Sequence, residues 1–213
     1  MLRPAFLAVL LTACRTDAVD FSGSLDTAAP SALSPQIDLL QLDSAGSGVS
    51  FVSYKDDMVP VSFDVHHPGG TLGLVDGSLE SAYGKVLVPL AGIDSDLEVR
   101  DSRVMEVFFG LSDANRYVTF DFNGMDVAPL GEGEWAAAVS GTVTIAGVSQ
   151  PATASLHITR DGDSLLMTTA EPLVLSIEGF GLSARLADLI ALCGHDTIDD
   201  GVEVDVALRF DLF

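Results

Sequence analysis

The stretch GTVTIAGVSQPATASLHI, residues 141–158, decides the fold class. Val143 and Ile145 share one side of its first half, and Ala152, Ala154, Leu156 and Ile158 share one side of its second. A period of two marks a strand with one face hidden from water and the other wet. The break at Gly147 between the two runs predicts a hairpin. What lies against the hidden face, protein side chains alone or also a guest molecule, is the functional question.

The same alternation recurs on both sides of this hairpin. In PVSFDVHH (60–67), Val61, Phe63 and Val65 alternate with Ser62, Asp64 and His66. YVTFDFNGMDV (117–127) places Val118, Phe120 and Phe122 on one face. VEVDVALRFDL (202–212) does so with Val202, Val204, Val206, Leu208, Phe210 and Leu212. Many strands at short spacing, divided by turn residues, predict an all-β sandwich or barrel. Two segments depart from this period. DSRVMEVFFG (101–110) pairs Val104 with Phe108 and Met105 with Phe109 at helical spacing, with Asp101 as the expected N-cap. LSARLADLIALCG (182–194) predicts a second short helix from about Ser183 to a stop at Gly194.

The chain has 213 residues and a formal net charge of −21, from 10 Lys and Arg against 31 Asp and Glu. Such a field repels phosphate backbones and argues against nucleic acid as a partner. The first residues, MLRPAFLAVLLTACRTD (1–17), carry Arg3 ahead of an apolar run from Ala5 to Leu11, too short to span a bilayer and shaped like an export signal. Leu11-Thr12-Ala13-Cys14 resembles the lipobox of bacterial lipoproteins, which implies cleavage before Cys14 and acylation of that residue. Losing residues 1–13 removes Arg3 and no acid, leaving 9 bases, 31 acids and a charge of −22. The predicted organisation is a signal over 1–13, an acylated Cys14 and tether over 14–48, and a β domain over 49–213. A flexible tether of that length reaches roughly 30–35 Å. The expected location is the periplasm or outer surface, membrane-anchored through acyl chains.

No nucleophile turn, phosphate-binding Gly-Lys loop, dinucleotide fingerprint or His-Glu-x-x-His helix occurs in the sequence, so the chain reads as a binding protein and not as an enzyme. Cys193 and His195 form the one pair that invites a metal-binding enzyme or sensor, the competing reading. A Cys-x-His pair lacks the second half that three- or four-ligand sites need, and no metal is assigned. His66 and His67, as neighbours on a strand, are expected to point to opposite faces.

Three separated segments resemble the YceI-like family. GTVTIAGVSQP keeps Gly141, Thr144, Ile145, Gly147, Val148 and Pro151 of that family's hairpin. DSRVMEVFFGLSDANRYVTFDF places Asp101, Phe108, Phe109, Tyr117 and Phe120 in the matching positions, and LSIEGFGL supplies Phe180 and Gly181 of a late Phe-Gly turn. The resemblance spans Val49 to the C-terminus. It implies an eight-stranded antiparallel, lipocalin-like barrel whose lumen holds a polyisoprenoid, either a quinone or a polyprenol type. It implies an isoprenoid lipid as partner and ligand, with no other cofactor. The residues expected to touch it are Phe63, Met105, Phe108, Phe109, Phe120, Phe122, Phe180 and Leu182. Two departures narrow the expectation. A polar run with an arginine, usual before the Phe-Gly turn, has shrunk to Glu178-Gly179, and Val118 replaces the proline after Tyr117. With few cations in the chain, an uncharged isoprenoid such as a quinone is the expected guest. A surface lipoprotein with a filled barrel is the remaining alternative.

Overall fold

The hairpin read from residues 141–158 is present and longer than its alternation requires. Its strands pair antiparallel from Ile145 opposite Val148 to Glu134 opposite Thr159. The chain turns at Ala146-Gly147, with φ of 49° and 81°. Positive φ at both positions is the two-residue turn whose twist matches that of the flanking strands, and a glycine at the second meets it without steric cost.

The computed structural model describes residues 34–212. In chain order its strands are β1 (Ile37–Leu42), β2 (Gly48–Lys55), β3 (Val59–Val65), β4 (Gly69–Val75), β5 (Ser78–Pro89) and β6 (Ile93–Asp94). They continue as β7 (Tyr117–Gly131), β8 (Glu134–Ile145), β9 (Val148–Asp161), β10 (Ser164–Thr169), β11 (Leu173–Ser176) and β12 (Ile198–Leu212). Hydrogen bonding runs β1-β4-β5-β7-β8-β9-β10-β12, and β12 returns to β1 through Leu40 opposite Leu212 and Leu42 opposite Phe210. This is a closed, eight-stranded antiparallel barrel with two short helices. Closure leaves these eight strands without a free edge.

The other four strands prolong the wall at one end. β1 and β2 both pair with β12, β2 pairs with β3, and β10 and β11 share the opposite edge of β12. β1 with β2, and β10 with β11, each make one bent stave interrupted by a loop. β6 likewise follows β5 after the turn Leu90–Gly92 and pairs with β3. The segment expected to be tether up to residue 48 therefore contains a strand. Ile37–Leu42 is a barrel strand, because Leu40 and Leu42 give it a buried face that β4 and β12 cover. The predicted signal, Cys14 and the tether up to residue 33 lie outside the described residues.

The second helix, α2 (Ser183–Cys193), ends at Gly194 as expected. The first helix differs. α1 runs Glu98–Arg103, with Leu97 rather than Asp101 at its N-cap. Asp101 is instead buried within the helix, and its carboxylate accepts the Ser95 amide at 3.0 Å and the Ser95 hydroxyl. Burial with two donors explains the position: the carboxylate ties the approach segment to the helix from inside. Beyond Arg103 the chain widens into a π turn, Val104–Phe108, where the Phe109 amide reaches back five residues to Val104. The extra residue in the turn breaks the four-residue spacing that would have kept Met105 on the Phe109 face.

Candidate ligand-binding site

The barrel is solid at one end and hollow at the other. Leu72, Ile158, Leu165 and Phe210 are at most 1% exposed and fill the closed end. Towards the helices the wall diverges around an apolar chamber of about 200 Å³. A second apolar chamber of about 110 Å³ lies deeper. Val49, Val88, Val118, Leu175 and Val204 line both, so the two chambers meet end to end. Together they reach the lower end of the ~300–1,000 Å³ range typical of small-molecule sites. The filled-barrel alternative thus describes only the closed end.

Five expected ligand residues line the outer chamber: Phe63, Phe108, Phe109, Phe180 and Leu182. Phe120 and Phe122 line the inner one, their rings 5.8 Å apart. Room for these rings comes from two glycines. A Cβ on Gly84 would lie 2.7 Å from the Phe122 ring, and one on Gly141 would lie 2.6 Å from the Phe120 ring. Met105 lines neither chamber. The π turn carries Phe108 and Phe109 inward as consecutive residues, their rings edge to face at 4.8 Å, and leaves Met105 packed outside the lumen.

Phe51 completes the outer chamber unforeseen, stacked on Phe63 across β2 and β3 at 4.5 Å and 8°. Val202 and Val204 also face it. Their alternation in the last strand was legible, but not which part of that strand borders empty space. Lys55, Arg100, Arg103 and His195 also contribute to the outer chamber's wall. Arg100 and Arg103, three residues apart, share a helix face, a spacing that could have marked them.

Cys193 and His195, the competing metal pair, both border the outer chamber but engage different partners. The Arg103 Nη1 donates to Cys193 Sγ at 3.6 Å, and His195 Nδ1 lies 2.9 Å from Asp56 Oδ2. Among the described residues no three His, Cys, Asp or Glu side chains are grouped to hold a metal ion. The histidine neighbours also differ from expectation. β3 ends at Val65, and His67 takes a φ of 61°, so both imidazoles border the same outer recess with ring centroids 6.3 Å apart. His66 there meets Asp94 at 3.3 Å.

Asp56 ties the rim together. Its carboxylate accepts the amides of Asp196 at 2.8 Å and Thr197 at 3.2 Å as well as facing His195, joining the β2–β3 turn to the link between α2 and β12. The Thr197 amide above all, then the Asp196 amide and His195, hold its carboxyl below the usual carboxylate range. A lowered folded pKa means that this clamp contributes its full stability above the unfolded value of about 3.9 and is lost as pH falls through the still lower folded value. The Asp196 and Thr197 amides are therefore expected to keep hydrogen-exchange protection down to that unfolded value and to lose it only at lower pH. Asp56→Asn should lose it at neutral pH too, and protection independent of both changes would refute the clamp.

A family model described as the YceI-like domain matches residues 40–210. A polyisoprenoid binding domain from Saccharophagus degradans, implicated in plant cell wall breakdown, superposes with a TM-score of 0.70 at 19% identity, over 84% of this chain and 100% of that one. BcnA of Burkholderia cenocepacia gives 0.63 at 18% identity, over 79% of this chain and 98% of that one. The Campylobacter jejuni YCEI protein gives 0.50 at 16%, over 71% and 87%. At these identities the likeness is one of fold. No curated protein matches the sequence.

Proposed function

This chain belongs to the YceI-like domain family, and from that premise we propose that it binds an isoprenoid lipid, of quinone or polyprenol type, and sequesters or carries it in the cell envelope. The observation that carries this reading is the pair of joined apolar chambers. A slender branched tail suits such a lumen, with its polar end left at the mouth. Each buried carbon contributes roughly 0.8 kcal/mol, partly offset by the entropy of ordering the tail. The polyisoprenoid-binding domain from Saccharophagus degradans, similar in fold, supports the same ligand class. The protein acts here as a binder without chemistry of its own. Export and acylation at Cys14 belong to the same proposal: two or more acyl chains would hold so acidic a protein at a membrane where basic residues could not.

The deciding experiment is native mass spectrometry of the full-length Cys14→Ala chain, followed by solvent extraction. The expected result is one isoprenoid lipid per chain. Chains that emerge lipid-free and take up none of a quinone or polyprenol panel would overturn the proposal. For the anchor, labelled palmitate should enter the wild type and be absent from Cys14→Ala; equal labelling of both rejects acylation at that residue.

A further inference from the structure

We propose that the inner chamber is a ruler: closed below by Phe210, it stops the guest's tail after about two to three isoprene units, so that this chain selects short-tailed lipids over long ones. The inference rests on the lumen holding the tail, and it adds the length of tail that the lumen accepts.

The size of the void sets the scale. The outer chamber holds about 200 Å³ and the inner one about 110 Å³. An apolar void of about 150 Å³ takes one benzene molecule, which is roughly 25 Å³ per carbon. On that scale the two chambers accommodate about twelve tail carbons, between two and three isoprene units. The inner chamber ends where packing begins. Phe210, 1% exposed, borders it from β12, and Met125 does so from β7. Across its two neighbouring strands Phe210 stands opposite Leu42 of β1 and Leu165 of β10, both buried and bordering neither chamber. Two residues nearer the mouth, Leu208 stands opposite Met167, and both line the inner chamber. On this wall the boundary between space and packed atoms therefore falls at Phe210. Leu72, Leu74, Leu79, Ala82 and Ile158 fill the barrel without bordering either chamber.

Such a floor does not yield to a longer tail. Carbons forced past Phe210 would overpack side chains that already touch, which destabilises the barrel. A tail longer than the lumen instead leaves its surplus at the mouth, where those carbons stay in water and add nothing to affinity. In a bilayer every added unit is buried, so each lengthening of the tail favours the membrane over the protein. The side chains around the inner chamber set where the balance tips. Ala154 on β9, opposite Val139 of β8, is one of them, and its small side chain leaves open space that a larger one would take.

The test measures the affinity of the delipidated full-length Cys14→Ala chain for geraniol, farnesol and geranylgeraniol, each buffered by cyclodextrin. These alcohols share one headgroup and lengthen by an isoprene unit at each step. Affinity should rise at least about fivefold from geraniol to farnesol, as the last carbons that fit are buried, less the entropy of ordering them. From farnesol to geranylgeraniol it should change by less than about twofold. Adding Phe210→Ala removes the ring and opens roughly one more isoprene unit of space, so geranylgeraniol should then bind at least about fivefold tighter than farnesol. Adding Ala154→Leu instead places an isopropyl group in the inner chamber, and farnesol should fall to within about twofold of geraniol. That variant fills space rather than emptying it, and it decides the outcome should Phe210→Ala fail to fold. Affinity that climbs evenly through geranylgeraniol on the starting chain would overturn the ruler and leave lipid binding standing. A limit that stays at farnesol in either folded variant would overturn the assignment to the inner chamber and its floor. No binding by any of the three alcohols would defeat the lipid reading itself, and this inference with it.

Discussion

Val204→Trp should empty the protein of lipid while leaving it folded. Val204 lies on β12 where the two chambers meet, opposite Leu173 of β11 and Phe51 of β2. An indole placed there fills space that a tail would need to pass from the outer chamber to the inner one. Adding bulk to a packed core usually costs about 1–3 kcal/mol, but here the added atoms have a void to enter. Bound lipid measured by extraction should fall at least tenfold, and the thermal midpoint should stay level or rise. Unchanged lipid content would show that the guest does not use the lumen. Collapse of the fold would show that the junction is packed, which defeats the cavity itself.

Identical truncations at the two ends should differ sharply in cost. Ile158 is 0% exposed and borders neither chamber, while Ile198 belongs to the wall of the outer chamber. Ile158→Ala removes packed atoms and leaves a hole that its neighbours cannot fill, a loss of about 2–5 kcal/mol. Against a whole-domain stability of about 5–15 kcal/mol, that loss alone brings the barrel near its limit. Ile198→Ala enlarges an existing space, and without ligand its cost should be less than half as large. Chemical denaturation of both variants, delipidated, provides the comparison. Equal losses would mean that the mouth end is as tightly packed as the closed end.

Both expectations depend on where the wall is hollow, which strand alternation does not reveal. Val143, Ile145, Leu156 and Ile158 read identically as inward residues, yet Ile145 borders the outer chamber, Val143 and Leu156 the inner one, and Ile158 neither. Whether an inward face meets packed side chains or space depends on the other strands around the ring. Phe120 and Phe122 show the same limit: their face was legible, but not that Gly84 and Gly141 make room for their rings. Met105 lies outside both chambers because the helical spacing around it is interrupted by a π turn, which has no plain residue signature. The strand at Ile37–Leu42 hid in a segment whose Ser, Ala and Pro content resembled a tether. Its short apolar alternation becomes decisive only when β4 and β12 are there to cover it.

The order of residues by itself determined the all-β class, the hairpin around Gly147, the helix ending at Gly194 and the acidity of the surface, since each follows from local periodicity, turn chemistry or a count of charges. The tertiary structure alone decided which end of the barrel is hollow and gathered Lys55 with Arg100 and Arg103 at its mouth. Void space and the meeting of side chains distant in the chain exist only once the wall has closed and brought those groups together.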